Sequence, residues 1–177
     1  SVIERVEEEM EKVIRDSERV TKEVEDRARE VHERSEKRIR EVEETSRRVL
    51  EELRRAGVDK RILDELRKRI KDSREDLERI NEELRRALRK LLEDSKRINE
   101  ELRKTLEELR KRLERVDDEE ERDHMVLHEY VNAAGITRKL EELARRVDEL
   151  VRESIERVDR NVEENKRLVR EAIERRR

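Results

Sequence analysis

The chain has no cysteine, proline, tryptophan or phenylalanine, and only one tyrosine and two glycines, in 177 residues. Without cysteine there is neither a disulfide framework nor a cysteine-based metal site, and the redox compartment leaves no mark on the sequence. Without bulky aromatics, an amphipathic helix lying on a membrane surface lacks its usual interfacial anchors. No apolar run approaches the roughly 20 residues that span a bilayer, and the acidic, hydrophobic-poor start is unlike a signal peptide. A surplus of one charge is missing too: 49 Lys and Arg stand against 52 Asp and Glu, with the signs interleaved, which argues against a nucleic-acid patch.

What is abundant is charge, at 57% of the residues against 31% hydrophobic. A compact globule rarely has that balance. A narrow apolar seam along long helices needs fewer core residues than a spherical core, so an elongated helical bundle tolerates it, and disorder is the competing reading. Periodicity decides between them. Apolar or small residues recur at Ile3, Val6, Met10, Val13, Ser17, Val20, Val24, Ala28, Val31, Ser35, Ile39, Val42, Ser46, Val49 and Leu53, in steps of three and four that trace one helical face. A second run extends from Leu63 through Leu77, Leu88 and Leu102 to Val116, and a third from Leu140 through Val147, Val158 and Leu168 to Ala172. Disorder does not produce three such runs.

Between the first two runs, Gly57 suits the left-handed residue after a helix, Asp59 can cap the next helix, and Val58 with Leu63 can form a hydrophobic staple. Near Val116, Asp118 followed by Glu121 resembles a capping box. The expectation is one all-α domain over residues 1–177: an antiparallel up-down-up bundle with coiled-coil-like packing and helices near 1–56, 60–115 and 118–177. Short connections force antiparallel neighbours, and roughly 55 residues per helix predict a length of about 80 Å. INEELRRALRKL from Ile80 and INEELRKTLEEL from Ile98 repeat a layer at a spacing of about eighteen residues, five helical turns.

Ten seam positions are polar where leucine would be more stabilising: Ser17, Ser35, Ser46, Ser73, Asn81, Ser95, Asn99, Ser154, Asn161 and Asn165. Buried hydrogen-bond networks that fix helix order and register are the functional reading, and seam-edge residues facing water are the bland one. Saturation with Glu, Arg and Lys and the absence of proline, tryptophan and phenylalanine make the chain resemble idealised de novo helical bundles, including the caged latch switches called LOCKR. That resemblance implies a synthetic origin and a soluble monomer, cytoplasmic on recombinant expression.

One segment breaks the style. From Arg122 to Thr137 the sequence is RDHMVLHEYVNAAGIT, with the only tyrosine, one of the two glycines and two of the three histidines. Read as a strand, Met125, Leu127, Glu129, Val131 and Ala133 line one side, and Val126, His128, Tyr130 and Asn132 the other. All sixteen positions (Arg122, Asp123, His124, Met125, Val126, Leu127, His128, Glu129, Tyr130, Val131, Asn132, Ala133, Ala134, Gly135, Ile136 and Thr137) closely resemble the eleventh strand of green fluorescent protein in its split-reporter form. The resemblance implies a partner, the fragment carrying strands one to ten, and a chromophore-facing role for Glu129 after complementation. The chromophore-forming residues of that family are not in this sequence, so the chain alone is expected to be dark.

The same letters also fit helical steps, Val126, Tyr130, Ala133, then Ile136 or Thr137, leading into Leu140 without a phase break. The expectation is that the strand is caged as helix in a closed bundle. Local propensity opposes it, because Gly135 costs about 1 kcal/mol relative to alanine and Val126, Val131, Ile136 and Thr137 are β-branched. His124 and His128 share a helical face on which Glu121 would complete a metal site, but the resemblance explains both histidines, no HExxH pattern is present, and no metal or other cofactor is expected. His32 reads as a lone histidine at a seam edge. Carboxylate pairs are everywhere, yet nothing builds a pocket, so no enzyme activity is expected. The functional expectation is a switch that releases the strand, helped by a key helix resembling residues 138–177. The alternatives are a structural bundle testing strand-to-helix context dependence with no effector, and a plain tag carrier.

Overall fold

The computed structural model describes residues 2–176; Ser1 and Arg177, and the side chains of Val2, Ile3, Ile173 and Arg176, lie outside the described residues, and with them the Ile3 that opens the first apolar run. The fold is all-α: α1 spans Val2–Arg55, α2 Lys60–Glu114 and α3 Glu119–Arg176, three long helices packed as a bundle with no strand among the described residues. The expected helix bounds around the two connections, at 56, 60, 115 and 118, differ from these by no more than one residue.

The connections form as their residues dictate. Gly57, at φ +80°, occupies the left-handed position after α1. Its N–H donates to the Arg54 carbonyl at 3.1 Å and that of Val58 to the Leu53 carbonyl at 3.1 Å, the pair of bonds that satisfies the orphan carbonyls of a helix end. Asp59 then caps α2, its Oδ1 accepting from the Arg61 N–H at 2.9 Å. Val58, Leu63 and Leu53 share one hydrophobic cluster, so the staple and the C-terminal hydrophobic contact are the same small core. The second connection has no glycine: α2 ends in a tightened turn in which Arg115 N–H donates to the Arg112 carbonyl at 3.1 Å. Asp118 caps α3 through the Glu120 N–H at 3.3 Å, one residue earlier than the expected capping box requires.

Contacts gather into two units, each taking a portion of all three helices: Ser1–Arg27 with Leu88–Asp148, and Ala28–Ala87 with Glu149–Arg177. In the first, Val6 and Met10 of α1, Leu102, Leu106, Leu109 and Leu113 of α2, and Val126, Ala133 and Leu140 of α3 form one buried cluster. Ion pairs display the antiparallel register of α1 and α2 there, since Glu11 meets Arg110, Glu18 meets Arg103, and Glu25 lies 3.5 Å from Lys96. In the second unit, Leu53, Leu63, Leu66, Leu168 and Ala172 are buried together. Glu83 lies 2.8 Å from Arg157 and Glu65 3.7 Å from Arg175, so α2 and α3 are antiparallel as well. Exposed pairs of this kind contribute little stability, about 0 to 1 kcal/mol each, and the apolar clusters hold the helices together.

Candidate functional site

Residues 122–137 form the second to sixth turns of α3, wholly helical. A helix can direct only a stripe of such a segment inward, and that stripe begins with Val126 and Ala133, which are 0% and 1% exposed. Met125 and Ile136 are half-buried against the same cluster, and Arg122, Asp123, Glu129 and Thr137 are also half-buried. His124, Leu127, His128, Tyr130, Val131, Asn132, Ala134 and Gly135 face outward.

The strand alternation explains what is left outside. Its apolar residues were distributed over two faces, so a helix that buries Val126 and Ala133 must expose Leu127 at 52% and Val131 at 67%. Three of the four large hydrophobic residues most exposed among the described residues lie here: Leu127, Tyr130 and Val131, with Ile155 the fourth. The expected seam residue Tyr130 is therefore corrected. Glu129 and Tyr130 lie equally far to either side of the line through Val126, Ala133 and Leu140, so helical spacing alone does not choose between them. Glu129 takes the inward position instead, its side chain 15% exposed and 3.8 Å from the Arg112 guanidinium of α2. Thr137 returns its hydroxyl to the Ala133 carbonyl at 3.0 Å, a local bond that satisfies the hydroxyl within the helix. The second glycine, Gly135, has a negative φ and no atom within 4 Å of where a Cβ would stand.

The polar seam residues divide into groups. Ser73 donates to Asn161 Oδ1 at 2.8 Å while Asn161 Nδ2 donates to the Ser73 carbonyl at 3.1 Å, a reciprocal link between α2 and α3. Ser95 is fully buried and bonds Thr21 of α1. Since the Thr21 hydroxyl already donates to the Ser17 carbonyl at 2.9 Å, Ser95 is the donor in that bond. Thr21 is not among the seam positions read from the sequence, which pass from Val20 to Val24. The other group lacks partners: the Ser17 hydroxyl, Asn81 Oδ1, Asn99 Oδ1 and both amide atoms of Asn165 are buried with no hydrogen bond. Residue type and helical phase put these groups in the seam, but pairing requires a complementary group at the same height on the facing helix. Ser46 is buried, and Ser35 and Ser154 are half-buried.

Among the described residues, no group of three or more His, Asp and Glu is placed to hold a metal ion, and His124 and His128 are both exposed. No described helix is long and apolar enough to cross a membrane. No protein-family profile matches the chain, and no curated protein or solved structure matches it either.

Proposed function

We propose that the chain is a synthetic, non-enzymatic switch that stores the eleventh strand of a fluorescent-protein barrel as helix and yields it to a fragment containing the other ten strands. The observation that carries this reading is the placement of Val126 and Ala133, drawn from opposite faces of the strand pattern, in one core cluster of a bundle. Barrel pairing needs the backbone N–H and C=O groups of residues 122–137 as ladder partners, whereas α3 uses the same groups for its own bonds, so the two states exclude each other.

The helical form carries the handicaps that release requires. Leu127 and Val131 gain little from burial, Gly135 weakens the helix interior, and the β-branched residues favour a strand. Moving a latch from about 1% to 99% open takes roughly 5.5 kcal/mol of differential binding, supplied by the barrel fragment or by a key helix resembling residues 138–177 that competes for the α3 seat.

The test mixes the chain with the ten-strand fragment and follows green fluorescence against the free sixteen-residue peptide. Slower onset, accelerated by a peptide copied from residues 138–177, is the expected result. Onset as fast and complete as that of the free peptide would show a carrier with an accessible strand and no cage.

A further inference from the structure

The second unit has an unfilled side. On α1 no residue from Glu25 to Thr45 is fully buried, although Val31, Ile39 and Val42 continue the apolar stripe there. Opposite, Ile155 of α3 is 48% exposed. Between them lies an opening of about 380 Å³ with Val31 and Ile39 on one wall, Ile155 and Val158 on the other, and Leu77 and Leu84 of α2 as its floor. It shares Arg38 and Glu41 with a second opening of about 410 Å³, walled by Val42 and Val49 of α1 and by Val162 and Val169 of α3. The two adjoin at that charged pair, and their other walls make a largely apolar trough.

Two further observations say what fits it. Asn165, 8% exposed, lines the second opening with both its amide oxygen and its amide nitrogen unpaired, and Asn81 lines the first with a buried, unpaired Oδ1. Those atoms have almost no solvent-accessible surface, so they offer a guest no polar handle and the walls it meets are chiefly apolar. The rim is cationic in a chain of net charge -3: Arg34, Lys37, Arg38, Lys166 and Arg170 stand around the trough against Glu41 and Asp159. We propose that this trough seats a fourth amphipathic helix from a partner protein, with an apolar stripe and acidic flanks. The geometry matches helix-in-groove recognition, in which anchors three and four residues apart enter the groove and flanking charges select the partner. A second copy of this chain is a poorer guest, since its own flanks are charge-balanced. The proposal stands apart from strand release, as it concerns only the second unit.

The probe is a synthetic three-heptad peptide with leucine at the seam positions and glutamate flanks, beside a twin with lysine flanks. Titration into the full chain at low salt is expected to show the acidic peptide binding at least tenfold more tightly than its twin, with the gap narrowing at high salt. Ile155→Glu should weaken binding tenfold or more, while Leu127→Glu, on the other unit, should leave it unchanged. Reversing the rim with Arg34→Glu and Arg38→Glu, both exposed, should invert the preference without touching the core. Equal binding of the two peptides, no binding at high micromolar concentration, or indifference to Ile155→Glu in a chain of unchanged helicity would overturn the proposal. So would sedimentation as a dimer that Ile155→Glu dissolves, which would make a second copy the occupant.

Discussion

Val126 and Ala133, two turns apart on α3, are both sealed into one core cluster while Val131 between them stands 67% exposed. The segment is held by few contacts, and those contacts come from α1 and α2 rather than from the segment itself. On the proposed reading, the cage can therefore be loosened without altering residues 122–137. Leu109 of α2 is 1% exposed in the same cluster, and its replacement by alanine is expected to cost about 2 to 5 kcal/mol. Leu109→Ala should speed complementation at least tenfold over the unaltered chain. An unchanged rate alongside a lowered unfolding midpoint would mean that strand release does not proceed by opening this core.

The two glycines should respond in opposite directions to alanine, although neither would place a Cβ against another atom. Gly135 has helical φ, so Gly135→Ala should stabilise the bundle by about 1 kcal/mol, raising Tm by about 2 to 4 °C and slowing complementation. Gly57 is at φ +80°, where a side chain costs roughly 1 to 2 kcal/mol, so Gly57→Ala should lower Tm. Thermal unfolding of both variants checks the sign.

Asn161 and Asn165 lie four residues apart on α3 and should behave differently. Asn161→Leu breaks the reciprocal bonds with Ser73 and should destabilise by about 1 to 3 kcal/mol, most of it recovered when Ser73→Ala is added. Asn165→Leu removes an amide whose polar atoms have no partner, and should stabilise by a similar amount. Urea unfolding of the single and double variants measures both.

Glu51, Glu83 and Glu164 are held below the usual carboxylate range, in each case chiefly by a hydrogen bond from an arginine: Arg54, Arg157 and Arg167 respectively. Because the folded pKa is the lower one, the unfolded chain takes up protons first as pH falls. The stabilisation is present above the ordinary carboxylate range and is lost as pH drops through the depressed values. All three carboxylates are solvent-exposed, so the effect should be small and largely erased by 1 M salt. Arg157→Gln should remove the part belonging to Glu83, seen as a shallower acid limb in urea midpoints measured against pH.

Some of this was legible before any coordinates. Three helices, their ends and the single glycine turn follow from local rules: steps of three and four, the positive φ that Gly57 accepts, and the first-turn bond that Asp59 offers. The segment at 122–137 was equally visible, because its composition breaks with its surroundings. Less legible was which polar residues find each other. Thr21, outside the stripe read from the sequence, bonds Ser95, whereas Asn99 looked like a network member and leaves its Oδ1 unpaired.

The amino-acid sequence by itself determined that the chain is helical, where its helices stop, and that residues 122–137 carry an alternating apolar pattern alongside helical steps, since these properties depend on neighbours within a few residues. Only the tertiary structure decided that Glu129 rather than Tyr130 turns inward, that Asn165 stays unpaired, and that an apolar trough opens between α1 and α3 in the second unit. Those outcomes depend on the height and rotation of one helix against another, which sequence spacing along a single helix does not encode.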